Sequence, residues 1–340
     1  MKASALAIGL YLMLLPAITL GAHGTQTFVS LQFENDFFSS SGDRYYTHGF
    51  EISMLRQQKP PAELNGIEAA ISHMAKQFPF YRKGDHLNLV SYTLGHKIFT
   101  PDDLKATELI PYDRPYAGYL YASAAILSQY GSNDLVDYGN MFEMTLGLIG
   151  PSALGEDVHV GAHKLFNSEI ANGWEHQLKN EVVFGVSYSR VWSMVLPAGK
   201  SLELGVAPNI GISLGTAYTY GAGGVVFRLG KNLRRDLAPP NISPGFPGMG
   251  YFRADPEPSW YAYLGFESRI MARNIFLDGN TFQSSHSVDR ENLIGDMQFG
   301  LVYMCDGMRI SYSNMLRTKE FDRQRKNVHY GAINISFILR

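Results

Sequence analysis

Ser201-Leu-Glu-Leu-Gly-Val-Ala-Pro-Asn-Ile-Gly-Ile-Ser-Leu214 is the stretch that decides the fold. In an extended chain Leu202, Leu204, Val206, Pro208, Ile210, Ile212 and Leu214 share one face, and Ser201, Glu203, Gly205, Ala207, Asn209, Gly211 and Ser213 share the other. A period of two is the signature of a strand with one wet and one apolar side. The same alternation places Thr27, Val29, Leu31 and Phe33 opposite Phe28, Ser30, Gln32 and Glu34. It also sets Tyr46, His48, Phe50, Ile52 and Met54 against Thr47, Gly49, Glu51 and Ser53. At the far end Ile333, Ile335, Phe337 and Leu339 alternate with Ala332, Asn334, Ser336 and Ile338.

A soluble sandwich alternates too, but buries its apolar faces against a second sheet. Here the polar faces are rich in Gly, Ser and Asn, as a barrel lumen is, and Tyr and Phe gather near strand ends as interface girdles do. The expectation is an all-β, transmembrane, antiparallel up-and-down β-barrel whose last strand pairs with its first and so removes the sheet edge. Strand-like segments lie near 26–34, 45–54, 88–99, 117–128, 141–149, 181–195, 200–214, 222–230, 258–271, 291–304, 308–316 and 328–339. That makes about 12 strands, an even count that returns both ends of a bacterial barrel to the periplasmic side. The segment 274–285 reads as an extra strand or a strand extension.

A chain of 340 residues permits two ordinary domains or one large β domain. Gly 34, Tyr 20, Phe 20 and 18% charged residues fit the second and fit poorly with a soluble α/β enzyme or a helical membrane protein. Met1-Lys2, the apolar run Leu6 to Pro16 and the small-residue end at Ala22 read as a signal peptide over 1–22. This leaves 23–340 as one barrel domain in a Gram-negative outer membrane. A net charge of -2, with nothing that gathers Lys and Arg into a groove footprint, argues against bulk attraction to nucleic acid. Cys305 is alone, so no intramolecular disulfide framework exists.

Strand parity brings the loops 35–44, 100–116 and 150–180 to the outer rim. It sends two other connections to the periplasmic side. One is an amphipathic helix within 61–78, with Leu64, Ile67, Ile71, Met74 and Phe78 at helical spacing, which covers the barrel end or lies on the inner leaflet. The other is an irregular Pro-rich loop over 231–257.

Chemistry concentrates between Gly150 and Glu181. His159 and His163 are four apart, so a short helix after the Gly-Pro turn, in the loop following strand five, shows both imidazoles on one face, with Glu156 and Glu169 near its ends. The spacing alone is weak, since the zinc signature HExxH is absent. Asp36 is an oxygen ligand of the kind a hard cation prefers, although Asn35-Asp36 also suits a simple turn. Lys105 offers a cation to phosphate or an oxyanion, although most rim lysines are merely solvated.

Phe33-Glu-Asn-Asp36, Asp43-Arg-Tyr-Tyr-Thr-His-Gly49, Asp113-Arg-Pro-Tyr-Ala-Gly118 and Gly150-Pro-Ser-Ala-Leu-Gly-Glu156, followed by His163, Gly173-Trp174 and Gln177, together resemble the outer-membrane lipid A 3′-O-deacylases of the LpxR type. The resemblance spans the mature chain, with its specific motifs ending near Glu181. It implies a twelve-stranded barrel bearing a calcium-dependent esterase that removes the 3′ acyloxyacyl group of lipid A, the lipopolysaccharide anchor, at the extracellular rim. Carried over by position, His163 is the catalytic histidine, Asn35 and Asp36 the Asn-Asp pair, Thr47 the second-strand threonine, Lys105 the site lysine and Glu169 the acidic residue. Asp36 and Glu169 would hold Ca²⁺. His159 stands where the family carries glutamine; an imidazole can also hydrogen-bond, but its protonation would oppose a nearby cation. The partners implied are lipid A and the outer membrane, with the chain acting as a monomer.

Two other functions remain open. Ser152 could be the nucleophile of a serine-dependent phospholipase, although Gly-Pro-Ser-Ala-Leu-Gly is not the G-x-S-x-G elbow. A porin-like barrel would also explain a lumen of Gly, Ser and Asn.

Overall fold

In the computed structural model the described residues are 26–36, 45–57, 66–77, 87–131, 136–166, 170–240, 242 and 250–339. The signal peptide expected over 1–22 lies outside them. Twelve strands form one closed barrel in which each pairs with its sequence neighbours, and β1 (Thr27–Asn35) closes antiparallel on β12 (Val328–Leu339). Between them run β2 (Tyr45–Gln57), β3 (Leu87–Thr100), β4 (Ala117–Gly131), β5 (Val136–Ile149), β6 (Glu181–Ala198) and β7 (Leu202–Gly215). The wall is completed by β8 (Tyr218–Lys231), β9 (Ser259–Asn274), β10 (Leu293–Cys305) and β11 (Met308–Arg317). No helix of the described residues is long and apolar enough to cross a membrane.

The faces are inverted relative to a soluble protein. Leu146, Val182, Phe184, Leu214, Ile270 and Leu301 are exposed on the outer wall, whereas Gln32, Glu34, Asn209, Arg269, Asp296 and Ser336 are buried inside. Buried charge must be paired. Asp296 accordingly receives Arg269 Nη2 at 2.7 Å and Arg317 Nε at 2.9 Å, and Lys97 Nζ lies 3.4 Å from Glu51 and 3.8 Å from Glu34.

Both barrel ends are filled. The Pro-rich segment after β8 is irregular as expected, but it folds into the barrel: Leu233, Leu237, Ile242 and Phe252 are buried, with Phe252 packed edge-on to Phe28 at 5.5 Å. Asp236 within it sits 2.9 Å from Arg228 Nη1 and 3.7 Å from Arg309 Nη1, and accepts the Tyr261 hydroxyl at 2.7 Å. At the other end Phe99 stacks on Phe276 at 4.1 Å, and the Arg114 guanidinium lies 4.8 Å from the Phe99 ring. A cavity of 160 Å³ remains between, lined by Gln32, Glu51, Lys97, Tyr121, Glu143 and Ser187 among others.

Two other connections bear on what the sequence suggested. The amphipathic helix is α1 (Gly66–Ala75), and it does not cover the barrel end. Ile71 packs on Val90, Ala124, Ile126 and Phe142, the outward side chains of β3 to β5, because the apolar wall offers a larger dry surface than the polar rim. The segment after β9 is neither strand nor strand extension. Asn274 Oδ1 accepts the Phe276 amide at 3.2 Å and caps the one-turn helix Ile275–Asp278. That turn drives Phe276 into the barrel.

Candidate functional site

The loop after β5 begins at Gly150, whose φ of 93° only glycine adopts without strain, and then enters α2 (Gly155–Phe166). The helix lies on the outer wall. A Cβ on Gly118 of β4 would stand 2.8 Å from Gly155 N and 2.9 Å from Gly155 Cα, so the two backbones touch only because both residues lack side chains. His96 of β3 reinforces the contact through Nε2, 2.8 Å from the Ala153 carbonyl oxygen. Val158 and Val160 pack against Ile98, Leu104, Tyr116 and Trp174. Lys97 points into the barrel, so by alternation His96 and Ile98 point out. The acidic Glu156 and Asp157 in the first turn and the basic His163 and Lys164 in the last agree with the helix dipole.

His159 is buried beneath α2, and its Nδ1 accepts the indole N–H of Trp174 at 3.3 Å. A nitrogen that accepts cannot carry the proton, which in the neutral ring places it on Nε2. The His163 ring, half-buried, is 4.2 Å from that of His159. Trp174 is itself fully buried, 4.9 Å from the Tyr116 ring.

The wall beside α2 carries the second group. Asn35, the last residue of β1, donates from Nδ2 to the Thr47 carbonyl at 2.9 Å. Pairing between β2 and β3 shifts register between Tyr46 and His48, so Thr47 is an inserted residue. Its hydroxyl is 2.7 Å from that of Thr100. His48 is paired with Ile98, against which Val158 and Val160 of α2 pack, so the bulge at Thr47 lies on the strand next to one that α2 covers. Asp36 is buried directly after β1.

The loop after β3 supplies the remaining edge. Lys105 is exposed, its amide donating to Asp103 Oδ1 at 2.9 Å. Asn172 N donates to the Leu104 carbonyl at 2.9 Å, tying this loop to the one carrying α2. Asp113 accepts the amides of Asp102 and Arg114 at 2.7 and 2.8 Å, and burial pushes its carboxyl above the usual carboxylate range. Ser152 is exposed, and its amide donates to Asn180 Oδ1 at 2.7 Å. Glu169 lies outside the described residues. Among the described residues no three His, Cys, Asp or Glu side chains converge as a metal centre.

Three contributors escaped the sequence reading: His96, Thr100 and the loop after β9. That loop binds Glu181 through the Thr281 amide at 2.9 Å and Asn280 Nδ2 at 3.0 Å, and its His286 Nε2 is 2.8 Å from the Asp113 carbonyl oxygen. For His96 a signal existed, since it shares the outward face of Ile98 beneath a loop rich in small residues.

A family model described as outer membrane protein LpxR matches residues 6–339. Among solved structures, LpxR from Salmonella typhimurium is 18% identical, with a TM-score of 0.69 over 91% of this chain and 99% of that one. The β domain of the Bordetella autotransporter BrkA is 9% identical, with a TM-score of 0.47 over 92% and 98%. No curated protein matches significantly.

Proposed function

The chain belongs to the LpxR family of outer-membrane β-barrel proteins, and from that premise we propose that it is a lipid A 3′-O-deacylase, hydrolysing the 3′-linked acyloxyacyl ester. The observation that carries this reading is the side of the wall on which α2 lies. The helix that carries His159 and His163 packs through Val158 and Val160 on the outward Ile98, on the face where a membrane lipid arrives by lateral diffusion, and this supports a site on the wall rather than in the lumen. The filled barrel ends weigh against the porin alternative. Ser152, exposed on the turn before α2, has no feature that favours it as nucleophile.

In the proposed reaction His163 takes a proton from water as the oxygen attacks the ester carbonyl, and returns it to the departing 3′ oxygen. The products are the free acyloxyacyl acid and a 3′-hydroxyl. His159, its Nδ1 held by Trp174, offers Nε2–H to the reacting centre. Asn35 and Thr47 orient the water, and Lys105 faces a substrate phosphate. Asp36, a buried hard oxygen donor, suits calcium, with Glu169 the second expected ligand; when bound, the ion would supply Lewis-acid stabilisation of the oxyanion. The extracellular rim and a monomeric chain are part of the same proposal.

Mass spectrometry of lipid A from cells expressing the wild type or His163→Ala tests it. Loss of the acyloxyacyl unit is expected in the wild type, with a rate lower by about 10²–10⁴ in the variant and abolished by chelation. Unchanged lipid A in wild-type cells refutes it.

A further inference from the structure

The connection from β11 to β12, on the loop-bearing rim, carries four exposed cations, Lys319, Arg323, Arg325 and Lys326. It is not a slack loop. Phe321 is buried edge-on to Tyr45 at 5.9 Å, and the buried Gln324 accepts the Glu320 amide and donates to the Lys326 carbonyl, both at 2.7 Å. The Asp322 amide donates to the Asp289 carbonyl at 2.8 Å and the Arg325 amide to the Tyr45 hydroxyl at 3.3 Å. With Phe321 and Gln324 turned inward, the side chains at 323, 325 and 326 turn outward. Arg323 holds a left-handed backbone, φ 62°, which a non-glycine residue adopts only when its surroundings impose it.

The ridge also has a fixed place relative to the site. Arg325 Nη1 is 3.7 Å from Asp102 Oδ2, and the Arg323 guanidinium lies 4.1 Å from the Tyr112 ring. Both contacts fall on the loop after β3. Asp102 is two residues from Thr100, the partner of Thr47, so at most about 7 Å of chain separates the arginine's anchor from the site. Among these exposed groups Asp322, 3.9 Å from Arg323 Nε, is the neighbouring acid on the loop. The loop's four exposed cations stand against its own exposed Asp322 and buried Glu320, a positive balance of two, with Asp102 set against Arg325 and the exposed Asp289 and Glu291 on the adjoining loop.

We infer that this ridge binds the phosphorylated sugar head group of the lipid whose acyl ester occupies the wall below. The inference rests on the deacylase reading for the identity of that lipid. A lipid standing against the outer wall has its ester at the junction of chains and sugar, and any phosphate on that sugar lies at the level of the rim. Arginines held by a structured loop meet phosphate oxygens without first losing the freedom of a disordered one. The chemistry required of the ligand is therefore a membrane-embedded phosphosaccharide.

The test uses the full chain carrying His163→Ala, so that binding is read without turnover, reconstituted with phosphatidylethanolamine vesicles. Vesicles doped with bisphosphorylated lipid A, with dephosphorylated lipid A or with phosphatidylglycerol are compared. Arg323→Gln/Arg325→Gln/Lys326→Gln should weaken binding to the bisphosphorylated form about tenfold, less at high salt, and leave the dephosphorylated form unchanged. Arg323→Lys/Arg325→Lys should retain most of the affinity. Unchanged affinity of the triple variant, or an equal loss on phosphatidylglycerol, overturns the assignment. If the triple variant does not fold, as judged by heat-modifiable migration, Arg323→Gln alone is read in the same way, with a two- to threefold loss expected. Absence of acyl release by the wild type would end the deacylase reading without touching this binding result.

Discussion

Replacing Gly118 by alanine is the most direct challenge to the view that α2 assembles the site by lying on the wall. The new Cβ would stand 2.8 Å from Gly155 N and 2.9 Å from Gly155 Cα. Unstrained carbon contacts begin near ~3.5 Å, so the start of α2 must retreat by roughly 0.6 Å. Both obstructing atoms are backbone, so no rotamer change relieves them. Overpacking of this kind costs about 1–3 kcal/mol, and here it falls on helix docking, since alanine is harmless to the β3–β4 hydrogen bonds. A catalytic group displaced by about 1 Å loses on the order of 10² in rate, so a loss of ten- to a hundredfold is expected. Gly185→Ala is the matched control, because its added Cβ meets nothing nearer than 3.7 Å. Initial rates of acyl release from lipid A, with heat-modifiable migration to show an intact barrel, decide the matter. A Gly118→Ala protein within threefold of the wild-type rate, while Gly185→Ala behaves normally, would mean that the docking of α2 does not set the chemistry.

Two further changes address the site and the barrel. Trp174→Phe keeps the ring but removes the donor to His159 Nδ1, a hydrogen bond of about 0.5–1.5 kcal/mol, so the rate should fall two- to tenfold. Imidazole ¹⁵N shifts should then show His159 losing its single tautomer, and an unchanged spectrum would remove Trp174 from the mechanism. Asp236→Asn leaves Arg228 and Arg309 facing each other inside the barrel without their shared anion, which should cost about 3–5 kcal/mol. Denaturant unfolding in detergent measures it, and a shift below 1 kcal/mol would contradict the pairing.

Much of the architecture was legible in the chain itself. Alternation in segments such as Leu202–Leu214 depends only on which side chains tolerate lipid, and a period of two carries that preference whatever the neighbours are. Strand number and closure of β1 on β12 followed from it, as did the facing of side chains except at the bulge in β2, where Tyr46 turns inward to Glu34 and Thr47 turns to Thr100. The pair His159 and His163 was likewise visible, because four-residue spacing on a helix is local geometry.

What lay beyond reach were the contacts between segments remote in sequence. Nothing around Gly118 announces that it touches Gly155, and nothing in the periodicity of α1 says whether Ile71 meets lipid, solvent or the wall. The turn at Ile275–Asp278, the entry of the Pro-rich segment into the barrel and the pairing of Thr47 with Thr100 are of the same kind. Each depends on which surface remains uncovered after the barrel closes. Sequence periodicity fixes the direction of a side chain relative to its own strand; the partner it finds there is chosen only when twelve strands have set the distances between loops.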